Sequence, residues 1–183
     1  MNTKKILTAI AVGLSLLAAP SNAQQKMSPK EVVDAARSVS TKTDAETTVK
    51  TWLTIRDAIN SMPLDQIAVT VSQAEIPWYA NAETFGDLRA LVLIAVVERV
   101  ALDILERYAS KGMDPDKEEL LNRYGPVFRS HTPMWRYLAW IVPNAFLFAG
   151  DYERQENNPP AVSQRLNRIA ILCRIIDRER MFE

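Results

Sequence analysis

Two short stretches of this chain invite a catalytic or metal-binding reading. In "RSHTPMW", Ser130 adjoins His131, the only histidine. A hydroxyl beside an imidazole suggests a nucleophile and its base. However, neighbours on one loop seldom present their side chains to each other, and no GxSxG elbow surrounds the serine. In "DPDKEE", Asp114, Asp116 and Glu118 stand where an EF-hand loop has its first, third and fifth ligands. The sixth position needs glycine and holds Glu119, and the twelfth needs glutamate and holds Gly125. These acids read instead as a helix start complementing the dipole, with Asp114 as cap and Pro115 first.

Metal and cofactor chemistry lacks its usual ligands. One histidine and one cysteine, Cys173, cannot assemble a common zinc site, and no GxGxxG, P-loop or CxxC occurs. The expectation is no metal and no cofactor. Carboxylate-based hydrolysis is harder to test from sequence, because a catalytic acid pair need not be close along the chain. A hydrolase acting on cell-envelope glycan is therefore the alternative function, and no acid constellation supports it.

The other chemistry-bearing residues are aromatic and cationic. Trp78 and Tyr79 follow Ile76-Pro77 in an irregular connection, and Arg136 and Trp140 lie one helical turn apart. Tryptophan, tyrosine and arginine anchor protein interfaces. An arginine and a tryptophan at i,i+4 are also close enough for a cation–π contact. These four are the candidate binding residues. The same residue types also fill ordinary cores.

The first residues set the compartment. "MNTKKILTAIAVGLSLLAAPSNA" places Lys4 and Lys5 before an apolar run, followed by a small-residue ending at Ala23. This is the pattern of a secretory signal peptide, with cleavage expected after Ala23 and a periplasmic or secreted product. No cysteine near the cut offers a lipid attachment point. Residues 24–183 carry 20 Lys+Arg against 22 Asp+Glu, so nucleic acid is not the expected partner. Beyond Lys117 every basic residue is arginine. Those arginines can serve internal ion pairs or a partner's carboxylates. A lone cysteine forms no internal disulfide, so the fold must rest on its core. A chain of this length buries about 70% of its unfolded surface and can build one.

Helix-start signals recur along the chain. Ser28-Pro29 with Glu31, and Thr43 with Glu46, are capping boxes, and Pro63 restarts the chain. The longest helix is expected from about Phe85 to Ser110, apolar on every side between Arg89 and Glu98, with Gly112 as its stop. Gly125-Pro126 is expected to close the helix begun at Asp114, and Asn158-Pro159 to open the last one. In that last helix Val162, Leu166, Ile169, Cys173 and Ile176 form the buried stripe.

"TPMWRYLAWIVPNAFLFAG" is expected as a Thr132-capped helix interrupted at Pro143 and packed mostly inside the protein, Trp140 included. Arg136 and Asp151 bound an uncharged run of fourteen residues, short of the roughly 20 that span a bilayer. The fold class is all-α: a single-domain bundle of about six to seven helices over 24–183, with a long buried central helix and no stable membrane span. Function follows by elimination. The expected activity is that of an interaction protein, an adaptor, accessory factor or inhibitor-like module working on a protein partner in the cell envelope, more than an enzyme.

Overall fold

The computed structural model describes residues 26–39, 42–74, 88–129, 132–149 and 160–180. Every regular element among them is helical. In chain order they are α1 (Pro29–Ser38), α2 (Ala45–Ser61), α3 (Leu64–Ala74), α4 (Leu88–Arg107), a 3-10 turn (Ala109–Lys111), α5 (Lys117–Phe128), α6 (Thr132–Ile141), a second 3-10 turn (Val142–Asn144), the short α7 (Ala145–Phe148) and α8 (Pro160–Arg180). The all-α fold class is therefore observed.

The chain divides into two compact units between Val96 and Val97, inside α4. In the first unit the caps do what their residue types dictate. The Ser28 side chain accepts from the Glu31 N–H, and the Glu31 carboxylate accepts from the Ser28 N–H at 2.7 Å, so two orphan donors are satisfied reciprocally. These bonds hold the Glu31 carboxyl below its usual range. Asp44 caps α2 by accepting from the Thr47 N–H at 2.8 Å. With both ends fixed, α1 lays Val32, Val33 and Ala36 against α2 and α3, whose buried residues include Trp52, Ile55, Ile59, Ile67 and Val71. Arg56 is also buried, its guanidinium 5.8 Å from the centre of the Trp52 ring.

The second unit is built around α8, which packs along α6 and the 3-10 turn after it, and touches α5 and the Ala109–Lys111 turn. Its core holds Ile104, Tyr108, Leu120, Tyr124, Phe128, Trp135, Leu138, Leu166, Ile169, Cys173 and Ile176. The expected α8 stripe is buried from Leu166 onward. Gly112 ends the Ala109–Lys111 turn at φ 74°, a left-handed conformation that glycine adopts without a Cβ penalty. Pro143 sits in the Val142–Asn144 turn and interrupts α6 as its missing N–H requires.

Three expected boundaries are corrected. The cap of α2 is Asp44 and not Thr43, because the Asp44 carboxylate takes the Thr47 N–H. The cap of α5 is Asp116, accepting from the Glu119 N–H at 2.7 Å, and Asp114 lies outside the helix. Its carboxylate is drawn to α8 instead, where Arg165 and Arg168 both reach it. Gly125-Pro126 does not close α5, which runs on to Phe128 and ends at Arg129 in the left-handed region, φ 45°. Proline removes one helical hydrogen bond, but continuing the turn buries Val127 and sets the Phe128 ring edge-on to Trp135 at 5.3 Å. Packing outweighs the lost bond. The Arg129 N–H closes the turn on the Gly125 carbonyl at 2.7 Å.

Candidate functional site

The residues singled out from sequence fall into two groups. Ser130, His131, Trp78 and Tyr79 lie outside the described residues. Arg136 and Trp140 are placed, and both stand on the outward side of α6.

The reason is rotational phase. An α-helix advances about 100° per residue. Met134, Trp135, Leu138, Ala139 and Ile141 share one arc of α6 and are all buried, which leaves Arg136 and Trp140, at i and i+4, on the opposite arc. The expectation that Trp140 packs inside the protein is overturned, since the residue is 73% exposed. Trp135 is the tryptophan that fills the core, at 0%. Leu147 continues the outward side beyond the proline turn and is exposed too.

Arg136 is held, not loose. Its Nε donates to Asp177 Oδ2 on α8 at 3.1 Å, an anchor between a mostly exposed guanidinium and a mostly buried carboxylate. The ion pair fixes the stem of Arg136 one turn before Trp140. The indole thus stands on a helix whose other face is locked by the core and whose flank is locked by a charge pair.

The most concentrated titratable cluster among the described residues surrounds Asp103 on α4. Its Oδ2 accepts from Arg123 Nε at 3.1 Å and from the Tyr124 hydroxyl at 2.8 Å. Arg99 and Arg107, one turn either side, lie 3.8 and 3.9 Å from the carboxylate. Burial and the Asp103 charge push the Tyr124 phenol well above its ordinary value, and burial with the Glu119 carboxylate pushes Tyr108 up to about 12. A carboxylate saturated by an arginine and a phenol, beside phenols that stay protonated, is built for holding helices together. The two phenols, raised as they are, do not serve as general bases at neutral pH.

Four further acids are committed as well. Asp114 is clasped by two arginines, Asp177 by Arg136, and Asp44 and Asp116 are helix caps. Lys117 pairs with Glu179, adding a second tie between the start of α5 and α8. Among the described residues no group of three His, Cys, Asp or Glu side chains is placed to hold a metal ion, and no helix is long and apolar enough to cross a membrane. Cys173 is buried, and burial pushes its thiol up to about 12, so it is an inert part of the core at neutral pH.

Sequence reasoning missed one outward set on α8. Ile171 and Ile175 are exposed one turn apart, although the stripe they lie opposite was legible. Two isoleucines at i,i+4 on the polar side of an arginine-rich helix were the available signal. No family model matches this chain, no curated protein is similar to it, and no solved structure matches its fold, so the functional reading rests on these residues and their geometry.

Proposed function

We propose that this chain is an exported helical interaction protein, periplasmic or secreted, which engages a protein partner through the outward side of α6. One observation carries the reading: Trp140 is 73% exposed on a helix whose other large apolar side chains are buried. An indole in water gives up a large apolar area on docking and loses little side-chain entropy, which is why tryptophan dominates interface energetics. Arg136 beside it supplies donors at the rim, held in place by Asp177. The arginine ties of Asp103, Asp114 and Asp177 argue in the same direction, because they give those carboxylates structural employment.

Comparative capture from the cell-envelope fraction tests this. Mature protein and its Trp140→Ala variant, matched for thermal stability, are used as bait. A protein recovered with the first and lost with the second is the expected result. Equal recovery by both, or release of soluble glycan fragments from envelope material by the purified chain, would overturn it.

A further inference from the structure

The side of α8 that faces away from its core is a second, differently charged surface. Ile171, Arg174, Ile175 and Arg178 fall at i, i+3, i+4 and i+7, one continuous stripe of a helix. Leu166, Ile169, Ala170, Cys173 and Ile176 occupy the opposite arc and are buried. Ile171 is 53% exposed and Ile175 37%. Single exposed apolar residues are ordinary on any protein. Two of them one turn apart, interleaved with two arginines also one turn apart, make a patterned strip.

Among the described residues, the charge on this strip is not spent on internal ion pairs. Arg165 and Arg168, on the neighbouring flank, both reach Asp114, and Glu179 is taken by Lys117. Arg174 and Arg178 are exposed, and neither forms an ion pair among the described residues. The strip therefore presents two uncompensated guanidiniums beside two isoleucines.

We infer that this face of α8 docks an acidic amphipathic helix of a protein partner, with Ile171 and Ile175 covering its apolar edge and Arg174 and Arg178 pairing with its carboxylates. This deepens the interaction reading proposed above by adding a second face and naming the chemistry it takes. Arginine forks match carboxylates bidentately. Their spacing of four residues, about 6 Å along the axis, matches acids one turn apart on a facing helix. A second copy of the chain does not fit. Self-pairing of the stripe sets arginines against arginines and isoleucines, with no acid within it to answer them. A lipid surface fits less well, because the strip lacks the Trp, Phe or Leu that seats an interfacial helix.

The test uses the mature chain and two probes. One is a synthetic amphipathic peptide with leucines on its seam and glutamates one turn apart beside them. The other is vesicles of phosphatidylglycerol and phosphatidylcholine. Fluorescence anisotropy should show salt-sensitive binding of the acidic peptide. The double variant Arg174→Glu, Arg178→Glu should weaken it at least about tenfold, the effect of losing two charge-assisted pairs, and a lysine version of the peptide should bind that variant in its place. The four side chains lie off the core, and matched thermal melts of the variants establish that folding is unchanged.

Equal binding of the acidic peptide by wild type and the double variant would overturn the inference, as would no binding at all. Arginine-dependent binding to the vesicles without peptide binding would assign the strip to lipid, and a dimer dispersed by Ile171→Ala, Ile175→Ala would assign it to a second copy. Trp140→Ala separates the two readings. If it loses the captured partner while the acidic peptide fails to bind, the α6 face stands and the α8 inference falls. If it loses nothing while the peptide binds through Arg174 and Arg178, the reverse holds.

Discussion

Trp135 and Trp140 are five residues apart on one helix and have opposite surroundings. Five residues turn an α-helix by about 140° beyond a full circle. That angle carries Trp135 into contact with Phe128, with no exposed surface, and leaves Trp140 nearly three-quarters in water. The same division runs through the acids of the second unit. Asp103 is 15% exposed and shares its carboxylate among arginines and a tyrosine, whereas Asp114 is 49% exposed and is held by two arginines at the surface. Residue type names what a side chain can do, and its phase on the helix decides whether it builds the fold or faces outward.

The comparison is broken most directly at Trp135. Trp135→Ala leaves a cavity against Phe128 and should destabilise the protein by about 3–5 kcal/mol, read from the shift of the denaturant midpoint. A cost below about 1 kcal/mol would mean that the arc containing Met134, Leu138 and Ala139 is not the packed side.

Alkali should find the buried side next. Cys173 titrates at about 8.5 in an unfolded chain and is pushed up to about 12 in the fold. The unfolded state therefore releases its proton first as pH rises. The stability contribution is complete below about pH 8.5 and is lost toward pH 12, at up to about 1.4 kcal/mol per unit. Tyr108 and Tyr124, both raised, add to the loss above about pH 10, the free phenol's value. Denaturation midpoints measured across this range should fall progressively, and Cys173→Ala should delay the onset from about pH 8.5 to about pH 10. A midpoint flat to pH 11 would contradict the burial of all three groups.

Between the two acids the contrast is smaller and more specific. Tyr124→Phe removes a buried hydroxyl that donates to Asp103 at 2.8 Å and should cost about 1–3 kcal/mol, as for a hydrogen bond to a charged group. Asp114→Asn should cost about 0–1 kcal/mol, because its ion pairs lie half in water. Urea titrations of both variants check the ordering, and a reversed order would place the structural weight on the Asp114 clasp.

Much of the fold was legible because its signals are local. Ser28 with Glu31, Pro63, Gly112 and Pro143 act within a turn of themselves, and each marks the boundary its chemistry dictates. Thr43 as a cap lost locally, to its neighbour Asp44, whereas the other boundaries that failed depended on distant partners. Asp114 has the residue type of a cap, but Arg165 and Arg168, about fifty residues on, compete for it. Gly125-Pro126 reads as a stop, but the pocket beside Trp135 rewards one more turn with Phe128. The candidate site was half legible. Arg136 and Trp140 were recognisable as interface types, yet α6 is apolar nearly all round, so periodicity alone does not say which tryptophan faces out. Arg136 was the one phase marker: a residue four positions after a solvent-reaching arginine shares its side.

Trp140 gives the smallest expected effect on stability and the sharpest division between the two tryptophans. Trp140→Ala removes an indole whose contacts with the protein cover about a quarter of its surface. It also installs the best helix former in place of an aromatic, a gain of a few tenths of a kcal/mol. These terms oppose each other, so the denaturant midpoint should move by no more than about 0.5 kcal/mol in either direction. That is the opposite of the large cost a buried tryptophan would carry. Intrinsic fluorescence reports the same contrast without an energy scale: iodide should quench the emission that Trp140→Ala removes and spare the emission that Trp135→Phe removes. If Trp140→Ala cost 3 kcal/mol or more and its emission were shielded, α6 would be turned the other way round. Arg136 would then lie on the packed side, and the proposed interaction face would have no indole to offer.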